Sequence, residues 1–273
     1  MNSPSSPSSP SSPDRAVVAS PPERPAASHP ERPAASDLER LASAHLRAGD
    51  PTGWFEPLYA SSPAVPWDVP EASAHLRAHP LPPGEGRRAL VVGCGPGRDA
   101  EHIAALGYAT TAFDISPTAI DLARSRHPSS AVTYVVADLL NPPAGWRHAF
   151  DLVLESNNVQ ALPSAPLSPS SPPSPTSPYA PSTPSPRSSL SSPSSPSSIR
   201  AAAITAVGEF VAPGGTLLVL AAAAVAGGDG PPWPLTRDEM TAFAVGGLRM
   251  VSLEQTAAPG SRLHSRWKAV LTR

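Results

Sequence analysis

The chain has 273 residues, a formal net charge of −2, 39 prolines and one cysteine. A near-neutral charge without a Lys/Arg run argues against a nucleic-acid binder. One cysteine excludes an internal disulfide and fits a reducing compartment, and no apolar run approaches the ~20 residues of a membrane helix.

The N-terminal Ser/Pro stretch has no signal pattern, so the expectation is a cytoplasmic monomer that uses neither membrane nor nucleic acid. "MNSPSSPSSPSSP" opens the chain, and "PERPAAS" follows twice, at Pro22–Ser28 and Pro30–Ser36. Proline at such density removes donors and blocks both helix and sheet, which predicts a disordered tail over residues 1–36. Asp37–Ala48 has the spacing of a helix, and a Trp- and Pro-rich stretch follows it. "ASAHLRA" occurs twice, at Ala42–Ala48 and Ala72–Ala78; both copies read as helix pieces, with no further recurrence to suggest a solenoid.

Strands and helices then alternate. Arg88–Val92 reads as a buried strand and Asp99–Leu106 as a helix stopped by Gly107. Tyr108–Phe113 is a strand, and Ser116-Pro117 caps and opens a helix to Arg126. Val132–Ala137 and Phe150–Leu154 are strands. Ser164–Ser198 is a second Ser/Pro segment, read as a disordered surface insertion that interrupts one domain over 37–273. Loop closure grows costlier only slowly with length, so a fold tolerates it. After it come a helix at Ile199–Phe210, an "APGG" turn and a strand at Thr216–Ala221. Thr236-x-x-Glu239 is a capping box opening a helix to Ala244, and Arg249–Gln255 and Arg266–Thr272 are the last strands. The pattern predicts an α/β fold: a Rossmann-like, doubly wound, mostly parallel seven-stranded sheet closed by an antiparallel C-terminal hairpin. In such sheets ligands sit at the carboxyl ends of the strands.

The chemistry centres on Gly93-Cys94-Gly95-Pro96-Gly97-Arg98-Asp99. No Lys-Ser/Thr follows, so it is not a P-loop. The third glycine comes one place early for a dinucleotide fingerprint, and Pro96 lacks an N–H that a pyrophosphate would use. Asp114 ends the second strand, where a carboxylate can accept from a ribose diol; NAD enzymes use that position too. Asp138 ends the third strand, within reach of an adenine amino group. Gly93, Gly95, Gly97, Asp114 and Asp138 together point to S-adenosylmethionine. Taken singly, the glycines also suit a plain turn, Asp114 a helix cap, and Asp138 a cap or surface acid.

"GCGPGRD", "LGYATTAFDISPTAI", "VVADLL", "FDLVLESNNVQALP", "APGGTLLVL" and "GPPWPLTRDEM" resemble class I methyltransferases. Within these the chain looks like the thiopurine methyltransferase-like family, which includes thiol and halide methyltransferases. The resemblance covers Trp54 to Trp267, less the insertion. It implies S-adenosylmethionine as cofactor and a small-molecule methyl acceptor, a soft nucleophile such as a thiol, thiopurine or halide. Methyl transfer would be an in-line displacement needing no general base, so no catalytic residue and no metal are expected. Trp54, Trp67, Ile115, Leu139 and Glu155 join the expected cofactor set, and Tyr59, Asn157 and Trp233 the substrate pocket. Trp54, Tyr59 and Trp67 equally suit plain packing of the N-terminal stretch, and Trp233 a loop anchor. Asp68 reads either as a partner for the cofactor's ammonium or as a helix cap, and Cys94 as packing inside the turn. A non-catalytic cofactor-binding protein and an NAD or nucleotide-sugar enzyme remain the other readings.

Overall fold

The computed structural model describes residues 35–61, 65–163, 198–223, 232–257 and 265–273. The Ser/Pro tail and insertion lie outside the described residues, apart from residues 35–36 and Ser198.

Seven strands form one sheet: β1 (Arg88–Val92), β2 (Ala109–Asp114), β3 (Thr133–Val136), β4 (Phe150–Ser156), β5 (Val211–Ala222), β6 (Arg249–Ala257) and β7 (Ser265–Thr272). Their order is β3-β2-β1-β4-β5-β7-β6. The first five pair in parallel, while β7 runs antiparallel to both β5 and β6. This is the expected architecture, with β7 as the single reversed strand.

The apolar runs follow from burial on both faces of a parallel sheet. Along β1, Leu90 and Val92 face one core, and Ala89 and Val91 the other. Along β5, Leu217, Val219 and Ala221 join the first core, and Leu218 and Leu220 the second. Among the described residues, seven α-helices accompany the sheet: α1 (Ala35–Arg47), α2 (Phe55–Ser61), α3 (Ala74–Arg77), α4 (Arg98–Ala105), α5 (Pro117–Arg126), α6 (Ile199–Glu209) and α7 (Arg237–Ala242). No helix among the described residues is long and apolar enough to cross a membrane.

The local signals act as expected at three helix ends. Ser116 caps α5, accepting from the Ala119 N–H. Thr236 and Glu239 form the reciprocal capping box of α7. Gly107, at φ 89°, follows the end of α4. Two elements differ from expectation. Phe55–Ser61 is a helix, α2, where the sequence offered only aromatic residues and prolines. The "APGG" turn is absorbed into β5, whose pairing with β4 shifts register between Phe150 and Leu152. The extra residues there bulge without ending the strand.

Candidate active site

A cavity of about 600 Å³ opens at the carboxyl ends of the parallel strands. Its floor is the turn from β1 into α4. The Cys94 N–H donates to the Phe113 carbonyl at 2.8 Å, and the Gly97 N–H to the Cys94 carbonyl at 3.1 Å. The Gly95 N–H donates to Asp114 Oδ2 at 2.9 Å. Pro96 has no N–H. The amides at positions 94 to 97 are therefore committed inside the protein, and this turn has none to spare for a pyrophosphate.

Asp114 is buried, and its other oxygen accepts from the Ser116 N–H at 3.0 Å. Burial pushes its pKa up, while the N–H groups of Ser116, Gly95 and Ile115 pull the other way. Two oxygens with about four acceptor positions leave room for further donors. Asp138 closes a tight turn, with Oδ1 accepting from the Leu140 N–H at 2.8 Å. No helix follows it, so it is not a cap. Both carboxylates line the cavity, with Ile115 and Leu139 beside them.

A roof comes from the N-terminal segment. Trp54, Tyr59 and Trp67 line the cavity. Trp67 donates from Nε1 to Tyr59 Oη at 2.8 Å, and its ring meets Trp54 edge-on at 6.4 Å. Burial holds the Tyr59 hydroxyl well above its ordinary pKa, and the charge of Asp114 adds to this. Glu56 fixes the roof in place: it accepts from the hydroxyls of Ser116 and Thr118 and from the Thr118 N–H at the start of α5. Asp68 is tied down too, with both oxygens 2.6 Å from the Arg126 guanidinium. It caps no helix; the N-cap of α3 is Ser73. Gly95 lies under the roof, where a Cβ would come within 2.8 Å of Tyr59 Oη.

Gly93 and Asn157 also line the cavity, whereas Gly97, Glu155 and Trp233 do not. Gly97 has φ 94°, and a Cβ there would meet Tyr134 Oη at 2.3 Å, so its smallness serves packing of the turn on β3. Glu155 is fully buried behind the cavity. Its Oε1 accepts from the N–H groups of Asn158 at 2.6 Å and Val159 at 3.0 Å, and its Oε2 has no partner among the described residues. Burial raises its pKa to about 7 against those two hydrogen bonds and the charge of Arg266. Trp233 bonds by its backbone to Gln160 and Arg200, and the adjacent Pro232 reaches the cavity instead. Cys94 is buried in the turn, its thiol pKa raised by burial and by Asp114, as suits packing.

The cavity also takes residues that sequence reasoning missed. Asn158 donates to the Val92 carbonyl at 2.6 Å and so ties β4 to the glycine turn. His75, Arg98, Gln160 and Arg266 line the wall. The His75 pKa is lowered by burial and by the charges of Arg266 and Lys268. Arg98, Asn158 and Gln160 sit inside motifs the sequence offered, without a role assigned to them. His75 and Arg266 come from distant segments whose convergence no local pattern announces. No cluster fit to hold a metal occurs among the described residues.

Residues 89–168 match the family model of a methyltransferase domain. Over those residues the chain is similar to S-adenosylmethionine-dependent methyltransferase domains. Solved structures share the fold. One, from the conversion of a disulfide bond into a thioacetal group during echinomycin biosynthesis, is 20% identical with TM-score 0.56, covering 81% of this chain and 91% of that one. The [4+2]-cyclase SpnF is 15% identical with TM-score 0.51, covering 86% and 95%. A TehB-like methyltransferase from Corynebacterium glutamicum is 18% identical with TM-score 0.49, covering 85% and 99%. No curated protein matches the sequence.

Proposed function

We propose that this domain transfers a methyl group to a small-molecule soft nucleophile, a thiol, thiopurine-like compound or halide, as the thiopurine methyltransferase-like resemblance implies. The observation that carries the reading is the committed glycine turn beneath a roofed cavity. Asp114 uses the Gly95 amide as an internal tie, so the turn offers a flat, phosphate-free surface. The residues fit the cofactor. Asp114 has acceptor capacity for a ribose diol, Asp138 lies at the next strand end, and the unsubstituted Gly95 leaves the space below Tyr59 clear. The volume, about 600 Å³, lies in the usual range for ligand sites.

S-adenosylmethionine, when bound, supplies a sulfonium methyl that a nucleophile takes, leaving a neutral thioether. The chain's own part is to bind, align and exclude water. Trp54 and Trp67 present apolar faces that favour a neighbouring cation. A thiolate or halide arrives without a proton to lose, so no base is needed. His75, held toward its neutral form, is the cavity residue suited to act as a base for an acceptor that must be deprotonated. Because a cyclase shares the fold, the site and not the fold has to decide the reaction.

Calorimetry with S-adenosylmethionine, S-adenosylhomocysteine and NAD tests this. The two sulfur ligands are expected to bind in the micromolar range and NAD not at all. Asp114→Ala is expected to weaken the sulfur ligands at least 100-fold. It also strands the Gly95 and Ser116 amides, at about 1–3 kcal/mol each. Binding of NAD alone would sink the reading. Labelled methyl transfer to thiols and halides then separates an enzyme from a non-catalytic binder.

A further inference from the structure

The cavity is electrostatically divided. Its acidic groups for the cofactor are Asp114, which ends β2, and Asp138, in the turn that follows β3. In the sheet order, β7 lies on the opposite side of β1, beyond β4 and β5. Because β7 is the reversed strand, its first residues lie at the carboxyl edge of the parallel strands, and Arg266 is the second of them. Its side chain lines the cavity and donates from Nη2 to Asn157 Oδ1, just past β4.

Arg266 forms no ion pair among the described residues, and its Nε is buried without a hydrogen-bond partner. Arg98, the other cavity guanidinium, has its counter-charge adjacent: Asp99 Oδ1 lies 3.6 Å from its Nε. Glu155 and Asp99 attract Arg266 from beyond contact distance, and Arg98 repels it. A partly buried guanidinium with a free donor and no contacting anion lacks what normally compensates its desolvation. A carboxylate supplies this, because its two oxygens match the guanidinium fork.

We infer that Arg266 recognises a carboxylate carried by the methyl acceptor. The inference rests on the methyltransferase reading and narrows it. The cofactor's fixed points occupy the β1–β3 end, so the β4–β7 end is left for the second substrate. Among soft nucleophiles, the acceptor class is then a carboxylate-bearing thiol.

The test compares 3-mercaptopropionate with its neutral isostere 3-mercaptopropionamide. Binding of each to protein saturated with S-adenosylhomocysteine is followed by ligand-observed NMR, and methyl transfer by kcat/KM. Wild type is expected to favour the carboxylate at least tenfold in both readouts. Arg266→Gln should erase that preference while leaving S-adenosylhomocysteine affinity within threefold. Arg266→Lys should keep part of it, since it retains a charge without the fork, and it also serves if the Gln variant folds poorly. Equal treatment of the two probes by wild type overturns the inference. So does loss of S-adenosylhomocysteine affinity in Arg266→Gln with the probe preference intact, which would assign Arg266 to the cofactor's own carboxylate. Failure of wild type to bind S-adenosylhomocysteine would instead remove the methyltransferase reading beneath it.

Discussion

The two halves of the sheet build their share of the cavity in opposite ways. From β1 to the turn after β3, the ligand-edge groups come from one continuous stretch, Arg88 to Asn141, and most of the bonds that hold its turns lie within that stretch. Asp114 ties Gly95, Ser116 caps α5, and Asp138 closes its own turn. From β4 to β7 the edge is assembled from remote pieces joined by long-range bonds. Gln160 accepts from the Ala222 N–H at 2.6 Å, Arg266 reaches Asn157, and Arg200 links three segments. Local closure leaves the first half with a geometry its sequence dictates. The second half depends on a few side chains acting as clamps.

The sharpest way to break that contrast is Arg200→Ala. Arg200 is 2% exposed. It donates to the Leu162 carbonyl at 2.6 Å, to the Trp233 carbonyl at 3.2 Å, and to Glu239 Oε1 at 2.7 Å. Truncating one partner of a buried pair leaves the other uncompensated and costs about 3–5 kcal/mol. Thermal unfolding should drop by roughly 10 °C in a domain of this size. If the halves are as separable as argued, S-adenosylhomocysteine affinity of the folded variant stays within threefold. A collapse of that affinity would show that the Asp114–Asp138 end leans on the Arg200 clamp.

The same contrast explains what the sequence could and could not reveal. β1 to β3 were legible because period, capping residues and glycines all act over fewer than thirty residues. Asp114 and Asp138 could be placed simply by counting strand ends. Helix α2 was not legible: seven residues with a proline inside carry no amphipathic period, and tertiary contacts hold it, with Leu58 buried in a cluster with Leu38, Ala42 and Ala119 and Glu56 bonding to α5. The bulged start of β5 hid behind "APGG", whose turn chemistry is satisfied within the strand. Glu155, expected among the cofactor residues, is fully buried and outside the cavity lining, because alternation along β4 says which residues share a face and not where the last one turns. Arg266 and His75 had no signal at all, since each reaches the cavity only once β7 and α3 are packed.

Glu155→Gln sharpens the comparison at the junction of the halves. The native carboxyl has its folded pKa raised to about 7, above its ordinary 4.5. A raised acid contributes stability fully below the unfolded pKa and loses it as pH rises through the folded one. Native stability should therefore fall between about pH 4.5 and 7 by on the order of 3 kcal/mol from this group. Glutamine keeps an oxygen for the Asn158 and Val159 amides and cannot ionise. The variant should gain on wild type as pH rises from 5 to 8, read as converging or crossing melting temperatures. A constant difference across that range would mean that Glu155 stays ionised throughout.

The smallest expected effect is the deletion of residues 164–197. It asks whether the clamped half needs what lies between its clamps. Leu162 and Arg200 stand on either side of that segment, and the Arg200 guanidinium holds the Leu162 carbonyl directly. Ser198 caps α6 through the Ala201 N–H at 3.2 Å and must be kept. With both ends already fixed by native bonds, the segment adds only closure entropy. Each halving of a loop returns about 0.6 kcal/mol, so joining the ends through a short Gly/Ser linker should stabilise the domain by up to about 2 kcal/mol. Denaturant midpoints of the two proteins measure this, with the slope unchanged. A loss of stability would show that the Ser/Pro segment contributes packing of its own, and the clamp at Arg200 would then be one support among several.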